Sequence, residues 1–164
     1  EWSPQSSNFR AGDSLNALEL GDFRLGVLIC YEDILPRFVR NFVAESQPDL
    51  LINLTNDAWF GDTHEPWQHL ALARFRAVEH HRALVRSTNS GVSAVIDPVG
   101  RMVTRSGTFE RASLHAEVPM LRDPTPFETL GPWPAWLSLL LALYMLARRR
   151  TGEGTGGDTG ARSG

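Results

Sequence analysis

The sequence contains no lysine; all 16 of its basic residues are arginine. A step that depends on a lysine amine therefore cannot be carried by these 164 residues on their own. There is one cysteine, which excludes an internal disulfide framework and leaves the redox compartment open. No basic stripe interleaved with aromatics appears, and a net charge of −3 with a pI near 5.9 gives no reason to expect nucleic acid. The opening stretch, EWSPQSSNFRAGDS, lacks an initiator methionine and has no charged-then-apolar signal pattern, so the chain is read as the later part of a longer polypeptide. What is present is ordinary for a globular domain: 42% hydrophobic and 21% charged, in a length that suits one core.

LNALEL (15–20) and FRLGVLIC (23–30) predict two strands joined at Gly21-Asp22. Leu35, Phe38, Val39, Phe42 and Val43 share one helical face, with Pro36 suited to the first turn and Pro48 closing the segment. LLINLT (50–55) reads as a strand buried on both faces, and NDAWFGDTHEP as a loop. A helix is expected from Pro66 to about Leu84. Three strands are expected after it, turning at Asn89-Ser90-Gly91 and at Asp97-Pro98-Val99-Gly100, with one more alternating strand at ASLHAEVPM (112–120). Strands alternating with helices, then hairpins, predict an α/β layered domain.

Past Met120 the composition changes. A proline-punctuated linker (123–132) leads to an uncharged block, Trp133 to Ala147, closed by Arg148, Arg149 and Arg150. Fifteen helical residues span roughly 22 Å, against a hydrocarbon core of about 30 Å. Trp133 and Trp136 at one end and snorkelling arginines at the other still favour a membrane helix over 133–150, its basic end cytoplasmic. The glycine-rich tail, 151–164, is expected to be disordered.

Cys30 ends an apolar strand just where the chain turns toward a helix. Such a thiol can face a cleft at the sheet edge, where helix-end electrostatics lower its pKa and backbone N–H groups hold an oxyanion. A nucleophilic cysteine also needs a base. None of the five histidines (64, 69, 80, 81, 115) sits in a recognised protease signature, and HEPWQH spaces its histidines wrongly for zinc. His80-His81 reads as a solvated or capping pair, and Glu32 lies too near Cys30 in sequence to serve easily as its base. Arg74, Arg76, Arg82 and Arg86 are expected to face solvent or pair locally, and the Asn53 glycosylation sequon is discounted because its strand is buried.

GVLICYED, LLINLTNDAWFG and WQHLALARFRAVEHHRALVRSTNSGVSAVIDPVGR together resemble the carbon–nitrogen hydrolase, or nitrilase, superfamily. Within it they are similar to the C-terminal portion of the bacterial apolipoprotein N-acyltransferases. The resemblance implies part of an α-β-β-α layered sandwich over residues 1–122, followed by one transmembrane helix. It implies a Glu–Lys–Cys site with Cys30 as nucleophile, the Tyr31 amide as oxyanion donor and Glu32 as a supporting acid. The Glu and Lys would precede Cys30, and the missing lysine puts them outside this chain. The implied reaction moves a fatty acyl group from a phospholipid, through a thioester, to the α-amine of a diacylglyceryl apolipoprotein. It requires neither metal nor organic cofactor and takes place at the periplasmic side of the inner membrane. A soluble nitrilase-type amidase and a non-catalytic membrane-anchored domain with a merely buried Cys30 are the alternatives. Asn56, beyond the buried strand, and the apolar cluster Trp59, Phe60 and Trp67 are the expected substrate-binding residues. A turn role for Asn56 and a core role for the aromatics are the alternatives, and Asn89 and Ser90 read as turn formers.

Overall fold

The structure, a computed structural model, describes residues 12–152, with side chains placed to residue 148. Residues up to Thr129 form one compact unit and those from Leu130 another.

The first unit is built on one mixed six-stranded sheet in the order β1 (Leu18–Leu20), β2 (Phe23–Ile29), β3 (Leu50–Thr55), β4 (Ala83–Thr88), β5 (Ala94–Ile96), β6 (Met102–Arg105). β1 and β2 form the expected hairpin, with Gly21 at φ 60° in the turn. β2, β3 and β4 are parallel, and β5 and β6 return antiparallel. The parallel strands are joined through α1 (Pro36–Ser46) and α2 (Glu65–His80). Both crossovers step the same way along the sheet, so right-handed connections put both helices on one face.

That face holds the core. Leu28, Leu51, Leu84, Ala94 and Ile96 from the sheet meet Val39, Phe42 and Val43 of α1 and Leu70, Ala73 and Ala77 of α2. Gly26 is glycine because a Cβ there would lie 2.8 Å from the Phe42 ring. The opposite face is apolar too, yet Ile29 and Leu54 on it are about half exposed, at 54% and 45%.

Four expectations need correction. α2 stops at His80, because His81 takes a left-handed cap (φ 50°) and the chain turns into β4. Residues 112–120 form no strand; their side chains are mostly exposed and no neighbouring strand pairs with them. Within 123–132 a short helix, α3 (Pro126–Leu130), is tied down through Glu128, which accepts from Arg82 Nη1 at 2.6 Å. The apolar block does become a helix, α4 (Trp133–Gly152), but no helix among the described residues is long and apolar enough to cross a membrane. The uncharged part gives way to arginine after too few turns. The Arg149 and Arg150 side chains and the tail from residue 153 lie outside what the structure describes.

A buried charge network beneath Cys30

β2 ends at Ile29, and Cys30 opens a 3₁₀ turn (Cys30–Ile34) with φ 52°. A side chain with a Cβ in this left-handed region costs about 1–2 kcal/mol, so the surroundings must hold it there. α1 begins only at Pro36, so its N-terminus is not the group beside the thiol, contrary to expectation. The turn is held by side chains instead. Glu32 Oε2 accepts from the Ile29 amide at 2.7 Å, and Asn53 Nδ2 donates to the Cys30 carbonyl at 2.9 Å. Cys30 itself is half-buried.

Sheet register explains why Asn53 is in place. Leu28, Asn53 and Arg86 are direct neighbours across β2, β3 and β4, so all three project to the helix-covered face. Arg86 Nη1 donates to Asn53 Oδ1 at 2.8 Å and to Asp33 Oδ2 at 2.9 Å, and its Nη2 donates to Asp57 Oδ2 at 2.9 Å. His69, from the buried side of α2, closes the ring: Nε2 lies 2.8 Å from Asp33 Oδ1 and Nδ1 lies 3.3 Å from Asp57 Oδ1. All five residues are at most 2% exposed. Gly91 gives the network room, since a Cβ there would come within 2.1 Å of Asp57 Oδ2.

Burial by itself pulls the His69 pKa down, but the bonds to Asp33 and Asp57 outweigh it and push it up to about 9. For Asp57 burial works upward, and His69 and Arg86 overcome it, leaving the carboxyl below its ordinary value. At neutral pH two carboxylates thus face two cations, a balanced set that burial can tolerate. The sign of the pH dependence follows. The His69 contribution is complete below its unfolded value of 6.5 and is lost as pH rises through about 9. The Asp57 contribution is present above its ordinary 3.8 and is lost as pH falls below it. Thermal melts should therefore show Tm declining between pH 6.5 and 9, and His69→Gln should flatten that decline.

Tyr31 connects this network to the surface. Its ring stacks on His69 at 4.6 Å and 14° and meets Phe60 edge-on at 6.0 Å, and its hydroxyl donates to Glu65. Burial, then the Glu65 bond, raises its pKa well above the ordinary tyrosine value. The β3–α2 loop beyond Thr55 carries the other expected residues. Asn56 Oδ1 accepts from the Ala58 amide at 3.0 Å and from Asn89 Nδ2 at 2.7 Å, a turn-forming role that also ties two loops together. Trp59 is 81% exposed, and Trp67 carries the Arg105 guanidinium 4.8 Å from its ring centroid. Cys30 and Asn56 thus follow the carboxyl ends of adjacent parallel strands, the side of an α/β sheet where ligands bind.

Sequence reasoning missed Asp33, Asp57, His69 and Arg86 as members of one site and took Arg86 for a solvent-facing or locally paired residue. Arg82 and His80 are also buried rather than solvated, while Arg76, buried too, pairs locally as expected, with Glu79 at 2.9 Å. Burial, with Arg82, Arg76 and Arg40 nearby, lowers the His80 pKa to about 3, so that ring is neutral at physiological pH.

Residues 3–122 match the carbon–nitrogen hydrolase family. The apolipoprotein N-acyltransferase of Azotobacter vinelandii is 42% identical over 148 residues, covering 90% of this chain and 28% of that protein. That of Bradyrhizobium diazoefficiens is 44% identical over 126 residues, covering 77% of this chain and 23% of that protein. The chain thus spans less than a third of the length of these relatives. The fold is shared with a carbon–nitrogen hydrolase from Helicobacter pylori, at TM-score 0.58 and 13% identity over 68% of this chain and 46% of that one. It is also shared with Saccharomyces cerevisiae Nit3, a nitrilase-superfamily member, at TM-score 0.53 and 23% identity over 65% of this chain and 42% of that one.

Proposed function

The chain belongs to the carbon–nitrogen hydrolase family, and from that membership we propose that it carries the nucleophile of an apolipoprotein N-acyltransferase. Cys30 Sγ, as thiolate, attacks the carbonyl carbon of a phospholipid ester. The ester C–O bond breaks, the lysophospholipid leaves with a proton, and the acyl group stays as a thioester. The α-amine of a diacylglyceryl-cysteine N-terminus then attacks the thioester, an amide forms, and the thiol is regenerated. The observation that carries this reading is the left-handed Cys30 turn at the end of a parallel strand, held from beneath by a buried, charge-balanced network. The Tyr31 amide is assigned as an oxyanion donor and Glu32 as a supporting acid that braces the turn through Ile29.

The general base Glu and the oxyanion Lys are assigned to residues outside this chain, because it has no lysine to offer. We assign the half-exposed apolar face of the sheet to contact with the second α/β layer of a nitrilase-type sandwich, where that pair would enter. The exposed Trp59, with Phe60 next to it in the chain and Trp67 partly exposed at the start of α2, suits an apolar lip for acyl chains. α4 leaves Trp136, Leu140 and Met145 more than 60% exposed, a surface suited to lipid. These features suit work at a lipid surface; the periplasmic face of the bacterial inner membrane is assigned from the family resemblance alone.

The test is a product assay with phospholipid and a diacylglyceryl-peptide, using the full-length polypeptide. The expected product is the N-acylated peptide with equimolar lysophospholipid. Free fatty acid without amide would mark a hydrolase instead.

A further inference from the structure

We infer that Asn53, oriented by Arg86, is a positioning residue that fixes the direction of the Cys30–Tyr31 peptide and so aims the oxyanion donor. The inference rests on the acyl-enzyme reading above. Its core is the geometry of a single peptide plane. The Cys30 carbonyl and the Tyr31 N–H belong to the same peptide, which is trans like all the others described, so the two bonds point in opposite directions. Asn53 Nδ2 holds the Cys30 oxygen toward the buried network at 2.9 Å. The Tyr31 N–H is thereby turned away from the network. If this peptide flipped, the carbonyl would occupy the oxyanion position and the donor would face inward.

Asn53 can hold that peptide only if its own amide cannot turn over, and the network prevents it. Nδ2 donates to two carbonyls, Cys30 O and, at 3.4 Å, Leu28 O, while Oδ1 accepts from Arg86 Nη1 at 2.8 Å. A reversed amide would set oxygen against both carbonyls and NH₂ against the guanidinium. Arg86 is fixed in turn by Asp33 and Asp57. Asp33 lies three residues beyond Cys30 in the same 3₁₀ turn, so the network grips the turn at both ends. Asn53 is fully buried and lies under the nucleophile, so it has no part in contacting substrate.

The experiment compares Asn53→Leu, Asn53→Asp and Cys30→Ala in the full-length polypeptide. It reads single-turnover acylation by phospholipid, KM, Tm and the pH profile of iodoacetamide alkylation. Asn53→Leu keeps Arg86 paired with both aspartates. It should slow acylation about 10²- to 10³-fold, the loss expected for one oxyanion donor. KM should stay within about twofold and the alkylation profile should be retained. Asn53→Asp keeps the acceptor for Arg86 but has no donor, and should fall as far. Asn53→Ser replaces leucine if that variant does not fold. A merely structural role predicts activity that follows the folded fraction. Wild-type acylation rates in folded Asn53→Leu or Asn53→Asp, with Cys30→Ala inactive, would overturn the inference. Activity persisting in Cys30→Ala would instead remove the acyl-enzyme reading beneath it.

Discussion

Cys30→Ala is expected to lower N-acylation by roughly 10⁴-fold or more while leaving the fold intact. The expected loss is large because, in the proposed reaction, the thiolate forms the covalent intermediate, and removing a nucleophile forfeits the whole two-step route rather than one contact. The expected structural cost is small because alanine, like cysteine, carries a Cβ and meets the same left-handed backbone, φ 52°. The side chain is only half-buried, so little packing is lost. Product formation and thermal melting of the same preparation check both halves. The 164-residue chain alone should also show no turnover, because the proposed Glu–Lys–Cys site needs a lysine and this chain has none. Turnover by that chain at the rate of the full polypeptide would mean that some other residue of this chain replaces the missing pair.

Arg86→Met should be strongly destabilising, costing about 3–5 kcal/mol, because it leaves the two buried carboxylates of Asp33 and Asp57 with His69 as their one remaining cation. Arg86 bonds Asp33, Asp57 and Asn53 from one guanidinium, and lysine cannot reproduce that fork. Methionine fills similar volume, so the loss is electrostatic rather than a cavity. Urea unfolding at pH 7 measures it. Adding Asp57→Asn should recover part of the loss by removing one uncompensated charge. A change below about 1 kcal/mol in Arg86→Met would mean the network is solvated in practice and does not brace the turn.

The parts legible in the sequence are those with a local signal. β3 is a short branched apolar run and α1 a clean one-sided helix ended by a left-handed Gln47 before Pro48; both form where they were read, but β3 is not buried on both faces, since Leu54 on the outer one is 45% exposed. α2 was read too long because its stop is a histidine in a left-handed cap, where no glycine announces the end. Alternation at 112–120 was mistaken for a strand because alternation reports a half-buried face only when another strand is there to pair with. The turn at Cys30 was legible from the strand-to-helix change. The network beneath it was not, because its bonds join residues 12 to 53 positions apart and depend on register. A signal did exist: Asn53 and Arg86 interrupt otherwise apolar strands, and His69 lies on the same face of α2 as Leu70 and Ala73. A default that sends arginine to solvent hid it.

The most direct measurement is to locate the acyl group. The full-length polypeptide is incubated with phospholipid alone, quenched in acid, digested and examined by mass spectrometry. The account predicts one fatty acyl mass on the peptide carrying Cys30, released by neutral hydroxylamine as a thioester should be and absent from Cys30→Ala. An acyl group on another residue, or acyl transfer to peptide with Cys30 unmodified throughout, would contradict it.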